Sequence, residues 1–130
     1  MAYYFNKIVQ SKVFEEVIDE TIAALKTEGF GLLTEIDIQK AFKEKIDVDF
    51  KKYRILGACN PHFAHKALLA EDKVGVFLPC NVIVEEHENG DIEVSAVDPI
   101  ASMGAIKNDS LGGLAMEVQE KMKRVIEKLN

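Results

Sequence analysis

The distribution of apolar residues predicts an α+β fold, an antiparallel sheet with helices packed mainly on one face as a two-layer sandwich. Three observations predict it. Long amphipathic stripes of helical period stand near both ends of the chain, several short strand-like runs lie between them, and Glu88-Asn89-Gly90 joins two of those runs as a hairpin would. With 130 residues, 48% hydrophobic and 29% charged, the chain reads as a single globular domain over residues 1–130.

Tyr3 to Val9 is aromatic and β-branched enough for a first strand. Ser11 then caps a helix whose apolar stripe is Phe14, Val17, Ile18, Ile22 and Leu25. Gly29 ends that helix as a left-handed residue, Phe30 to Ile36 is a short strand, and Asp37 caps a second helix carrying Ile38, Ala41, Phe42 and Ile46. Tyr53 to Cys59 forms a further strand. Asn60 offers a capping side chain to a helix running from Pro61 to about Ala70, and Pro61 has no amide proton to leave unpaired at its first position.

Val74 to Glu86 reads as the longest strand, with Val74, Val76, Leu78, Cys80, Val82 and Val84 on one face and a bend at Pro79, which cannot donate to a ladder. A three-residue loop with Gly90 left-handed pairs Val84 with Val94 and Val82 with Ala96, and it keeps the apolar side chains of both strands together. Glu85, Glu93 and Ser95 then face water. Asp98-Pro99 begins an irregular stretch to Asp109, followed by the clearest helix, with Leu111, Leu114, Ala115, Val118, Met122, Val125, Ile126 and Leu129 on one stripe. Gly112 and Gly113 each cost it about 1 kcal/mol relative to alanine, which signals either a frayed first turn or the close approach of another backbone. Phe77, Ile83 and Val97 fall on the sheet face opposite the core, so a homodimer covering that face is expected.

The net charge of −6 works against binding to nucleic acid or an acidic membrane face. A basic stretch between Lys40 and Arg54 reads as a solvated face. No apolar run reaches the roughly 18 to 20 residues of a membrane span, and Met1 to Gln10 lacks the charged head and long apolar stretch of a signal peptide. The expected address is the cytoplasm, with both cysteines reduced.

The chemistry concentrates in Gly57-Ala58-Cys59-Asn60-Pro61-His62, with His65 following, and in Leu78-Pro79-Cys80-Asn81. Cys59 stands just before a helix N-terminus, where the dipole and free amides favour a thiolate. Were the strands of Cys59 and Cys80 neighbours, the two sulfurs and His62 would form a soft donor set for a transition metal such as zinc, copper or iron. The spacing is not diagnostic of a metal. Three roles stay open for the thiols: small buried hydrophobes, a reactive or sulfur-carrying nucleophile, and metal ligands. His62 and His65 share one helix side and can equally pack or cap, His87 at the hairpin tip reads as solvated, and Asp98 reads as a turn initiator accepting local amides. There is no nucleophile elbow, phosphate-cradling loop or dinucleotide fingerprint.

Taken together, Tyr53 to His62, Ala64-His65-Lys66-Ala67-Leu68, Gly75 with Leu78-Pro79-Cys80-Asn81, and Val94 to Pro99 resemble the DUF302 family over nearly the whole chain. The resemblance implies a two-layer β-α-β-rich sandwich grouped with TBP-like folds and a tendency to homodimers. It implies no reaction. The matching positions Cys59, Asn60, Pro61, His62, Pro79, Cys80, Asn81 and Asp98 are candidates for a shared site or a shared structural need. The function expected is that of a small cytoplasmic homodimeric binding protein. Its ligand site would lie around Cys59, Asn60, His62, Cys80, Asn81 and Asp98, and would take a metal, a sulfur species or a small ligand. The alternatives are a structural or protein-interaction dimer and a thiol-dependent redox or sulfur-transfer enzyme led by Cys59 and His62.

Overall fold

The computed structural model describes residues 2–9 and 13–130. Five strands, β1 (Tyr4–Val9), β2 (Gly31–Asp37), β3 (Tyr53–Cys59), β4 (Cys80–Glu86) and β5 (Ile92–Val97), form one antiparallel sheet in the order β1-β5-β4-β3-β2. The helices are α1 (Phe14–Thr27), α2 (Ile38–Ile46), α3 (Pro61–Ala70), α4 (Pro99–Ser102) and α5 (Asp109–Lys128). The α+β class read from the sequence is the observed one.

Strand pleating decides which side chains meet the helices. Leu56, Ala58, Val82, Val84, Val94 and Ala96 project to one face and are buried under the stripes of α1 and α5, where Val17, Leu25, Met122 and Val125 complete the main core. The hairpin has the expected register, Val84 opposite Val94 and Val82 opposite Ala96, with Gly90 at φ +91° and the His87 amide donating to the Asp91 carbonyl at 2.8 Å. Gly29, at φ +85°, closes α1, where the Phe30 amide reaches back to the Leu25 carbonyl. Asp37 caps α2 through the Lys40 amide at 3.0 Å. Ser11, the cap expected for α1, lies outside the described residues.

Two local expectations are corrected, and one of two open alternatives is removed. Val74 does not begin a long strand: Asp72–Phe77 is a 3₁₀ helix, and β4 starts only at Cys80, immediately after the proline that cannot join a ladder. Val74 is buried in a second, smaller core with Ala67 and Leu111, and Phe77 leaves the open sheet face. After Asp98 the chain is not irregular throughout, because Asp98 accepts the Ile100 amide at 3.0 Å and caps the short α4. Around Gly112 and Gly113 no backbone approaches, since an added Cβ would meet nothing within 4 Å.

Part of the basic stretch is taken up by ion pairs. Lys43 contacts Asp47 and Asp49, and Arg54 reaches Glu35 at 2.6 Å and Glu15 at 2.9 Å while its guanidinium lies 5.6 Å from the Phe14 ring. Arg54 thereby ties the start of α1 to β2 and β3. No helix among the described residues is long and apolar enough to cross a membrane.

Candidate functional site

The ends of β3 and β4 lie side by side, with Ala58 paired to Cys80 and Gly57 to Asn81. Gly57 is there by necessity, because a Cβ would stand 2.1 Å from Thr34 Oγ1 and 2.8 Å from Pro79 Cγ. Its hydrogen lets the segment around Pro79 close onto β2 and β3. The chain then turns through Asn60 into α3, with Pro61 at the first helical turn as its sequence predicts.

Asn60 does not cap α3 with its side chain. It is 8% exposed, and its Nδ2 donates to the Glu28 carbonyl at 3.4 Å, beside Gly29. The residue bolts the end of α1 to the β3–α3 corner, which is a structural use of a motif position. Behind this corner, Cys59 and Cys80 from the strands, Phe63 and Ala67 from α3, and Leu114 and Val118 from α5 line a cavity of about 40 Å³. That is room for about three waters or one small apolar molecule. The walls are nearly all carbon and sulfur, so water would find few partners there.

Both cysteines are free and partly buried. Burial, with a smaller contribution from the nearby Cys59, pushes the Cys80 thiol up to about 11, so it is protonated at neutral pH. His62 and His65 are exposed on α3, and His62 does not line the cavity. Cys59, His62 and Cys80 are not brought together as a donor set: among the described residues, the group whose ligand atoms all lie within 4.8 Å of one another is Glu85, His87 and Glu93. The transition-metal site expected at Cys59, His62 and Cys80 therefore has no assembled geometry here.

Asn81 is separated from Cys80 by the strand pleat, exposed on the open face while its neighbour faces the cavity. Asp98 is engaged as a cap, and its Oδ1 also accepts from Gln119 Nε2 at 3.1 Å. Pro99, the next residue, reaches the cavity wall. Of the ligand-binding positions read from the sequence, Cys59, Asn60 and Cys80 meet at one cavity, whereas His62, Asn81 and Asp98 point elsewhere or serve the fold.

A family model for the domain of unknown function DUF302 matches residues 5–129. The chain belongs to the DUF302 family. A crystal structure of an uncharacterised conserved DUF302 protein from Bacillus stearothermophilus is similar to it, with a TM-score of 0.91, 27% identity and full coverage of both chains. No curated protein matches.

In this DUF302 chain, three motif segments far apart in sequence, Ala58 to Asn60, Leu78 to Cys80 and Pro99, converge on the one cavity. The part of the wall that the motif does not announce comes from Phe30, Phe63, Met103 and the first half of α5, whose apolar stripe signals burial but not what is buried against it. Sequence reasoning also missed the surroundings of His87, which is partly buried and whose Nε2 lies 2.8 Å from Glu93 Oε1.

Proposed function

We propose that this DUF302 domain is a binding protein that holds a small, predominantly apolar molecule in the cavity between the β3–β4 corner, α3 and α5. The observation that carries this reading is the convergence of three separate motif segments on one apolar cavity that the main core leaves unfilled. Cys59 and Cys80 serve as soft, polarizable wall groups, with Cys80 in its neutral form. The protein works in the cytoplasm, where both thiols remain reduced. A thiol-enzyme reading would rest on Cys59 alone, since the Cys80 thiol is held protonated and His62 is turned to solvent.

The test is a titration of the ¹⁵N-labelled protein with dissolved xenon, a single apolar atom suited to a cavity of this size. Saturable shifts confined to Cys59, Ala67, Cys80, Leu114 and Val118, abolished when Ala115→Leu fills the cavity, are expected. Absence of localised shifts, or shifts that persist in the filled variant, would refute the assignment.

A second reading, a structural homodimer through the open sheet face, is favoured by the exposure of Tyr3, Ile8 and Ile36 on or beside that face. Sedimentation equilibrium of the wild type and of Ile36→Glu tests it: a dimer that the substitution splits supports this reading, and a monomer removes it.

A further inference from the structure

The sheet face without α1 and α5 is drier than simple alternation predicts. Ser95 is only 8% exposed, and the side chains of Glu85 and Glu93 are 14% and 17% exposed. Tyr53, Glu85, Glu93 and Ile8 form one row across β3, β4, β5 and β1, and the next row is Ile55, Ile83, Ser95 and Asn6. Tyr3, Tyr4 and Tyr53 stand around this floor, which carries a concavity of about 450 Å³. Two carboxylates facing each other directly across a strand pair repel. Here they are kept, largely sheltered, in a concavity that Tyr3, Tyr4 and Tyr53 also line.

The chain itself shows what chemistry relieves that repulsion. Lys51 reaches the edge of the floor from a neighbouring depression, so that its Nζ lies 2.7 Å from Glu85 Oε1 and 5.9 Å from the centre of the Tyr53 ring. An alkylammonium is thus already seated between a carboxylate and an aromatic face, the two groups that recognise organic cations. It offsets one of the two negative charges. Glu93 keeps the other, oriented by Asn6 Nδ2 at 2.6 Å on Oε2 and by His87 Nε2 at 2.8 Å on Oε1.

We infer that this concavity is a binding site for a small organic ammonium ion, held by Glu85, Glu93 and the rings of Tyr3 and Tyr53, with Lys51 acting as an internal competitor. Charge and rings together define the ligand class. A metal ion has less to recommend it, because two of the three donors in the Glu85, His87 and Glu93 group already contact each other and Lys51 occupies the third. An anion would meet two carboxylates.

The experiment is a titration of the ¹⁵N-labelled protein with n-butylammonium chloride, a copy of the end of a lysine side chain, at constant ionic strength set with sodium chloride. Saturable shifts at Tyr53, Glu85, Glu93 and Ser95 are expected. Lys51→Met should tighten binding several-fold by removing the competitor, while Glu85→Gln and Glu93→Gln should weaken it about tenfold, the loss of one charge-assisted contact. The tightening in Lys51→Met separates a real site from general attraction to an acidic protein. Equal response to sodium, no saturation in Lys51→Met, or loss of the site beneath a second copy of the chain would overturn the inference. Stronger binding of Mn²⁺ or Zn²⁺ that displaces butylammonium and is lost in His87→Ala would replace it with a metal site.

Discussion

The two faces of the sheet are built from the same strands and do opposite work. On β4, Cys80, Val82 and Val84 lie against helices, while Asn81, Ile83 and Glu85 look the other way. On β5, Val94 and Ala96 are core residues, and Glu93 and Ser95 carry the polar floor of the open face. The helix-covered face is apolar, ends in a cavity and holds two thiols; the open face is aromatic and acidic. A motif that looks like one constellation in sequence, Leu78-Pro79-Cys80-Asn81, is therefore divided by the pleat between two environments.

The contrast is broken most strongly by emptying one face and then the other. Leu56→Ala in the core should lower stability by about 2–5 kcal/mol in urea unfolding. Ile36→Ala on the open face should change it by less than about 0.5 kcal/mol. A large loss in the second variant would mean that the open face is covered by another molecule.

The covered face also differs in its response to alkali. Because burial raises the Cys80 thiol from 9.0 to about 11, the folded state holds that proton more tightly than the unfolded chain. The associated stability is complete below about pH 9 and is lost as pH rises from 9 to 11, at most roughly 2–3 kcal/mol. Under reducing conditions Cys80→Ala should flatten the unfolding profile over that range by this amount, and an unchanged profile would place the thiol in water.

Two glycines sharpen the same comparison at smaller scale. Gly57→Ala drives a methyl group into Thr34 and Pro79 and should destabilise by about 1–3 kcal/mol. Gly112→Ala meets open space in a helix and should stabilise by up to about 1 kcal/mol, both read by thermal unfolding.

Much of the fold was legible because its signals are local. Asp37 as a cap, Gly29 and Gly90 as left-handed residues, Pro61 in the first helical turn and the Val84–Val94 register all follow from short-range backbone preferences and pleat parity. Misreadings arose where distant contacts decide. Alternating valines suggested a strand at Val74, but Pro79 interrupts the ladder and the second core claims Val74 for a 3₁₀ turn. Asn60 fitted a cap by spacing, yet the carbonyl at Glu28, 32 positions away, takes its amide. At the site, the meeting of Cys59 and Cys80 stood in the sequence only as a condition on their strands being neighbours, and that pairing, like the α5 wall and the sheltered His87–Glu93 pair, depends on long-range contacts that no local pattern encodes.

The central claim is that the motif corner encloses a ligand site. Its most direct test is native mass spectrometry of protein purified without oxygen or chelator, for the wild type, Ala115→Leu and Cys59→Ser. The account predicts a discrete added mass on the wild type that is absent from Ala115→Leu and reduced in Cys59→Ser, with all three chains folded. A wild type that carries no adduct and also shows no localised shifts with xenon, or an adduct that survives filling of the cavity, would contradict it.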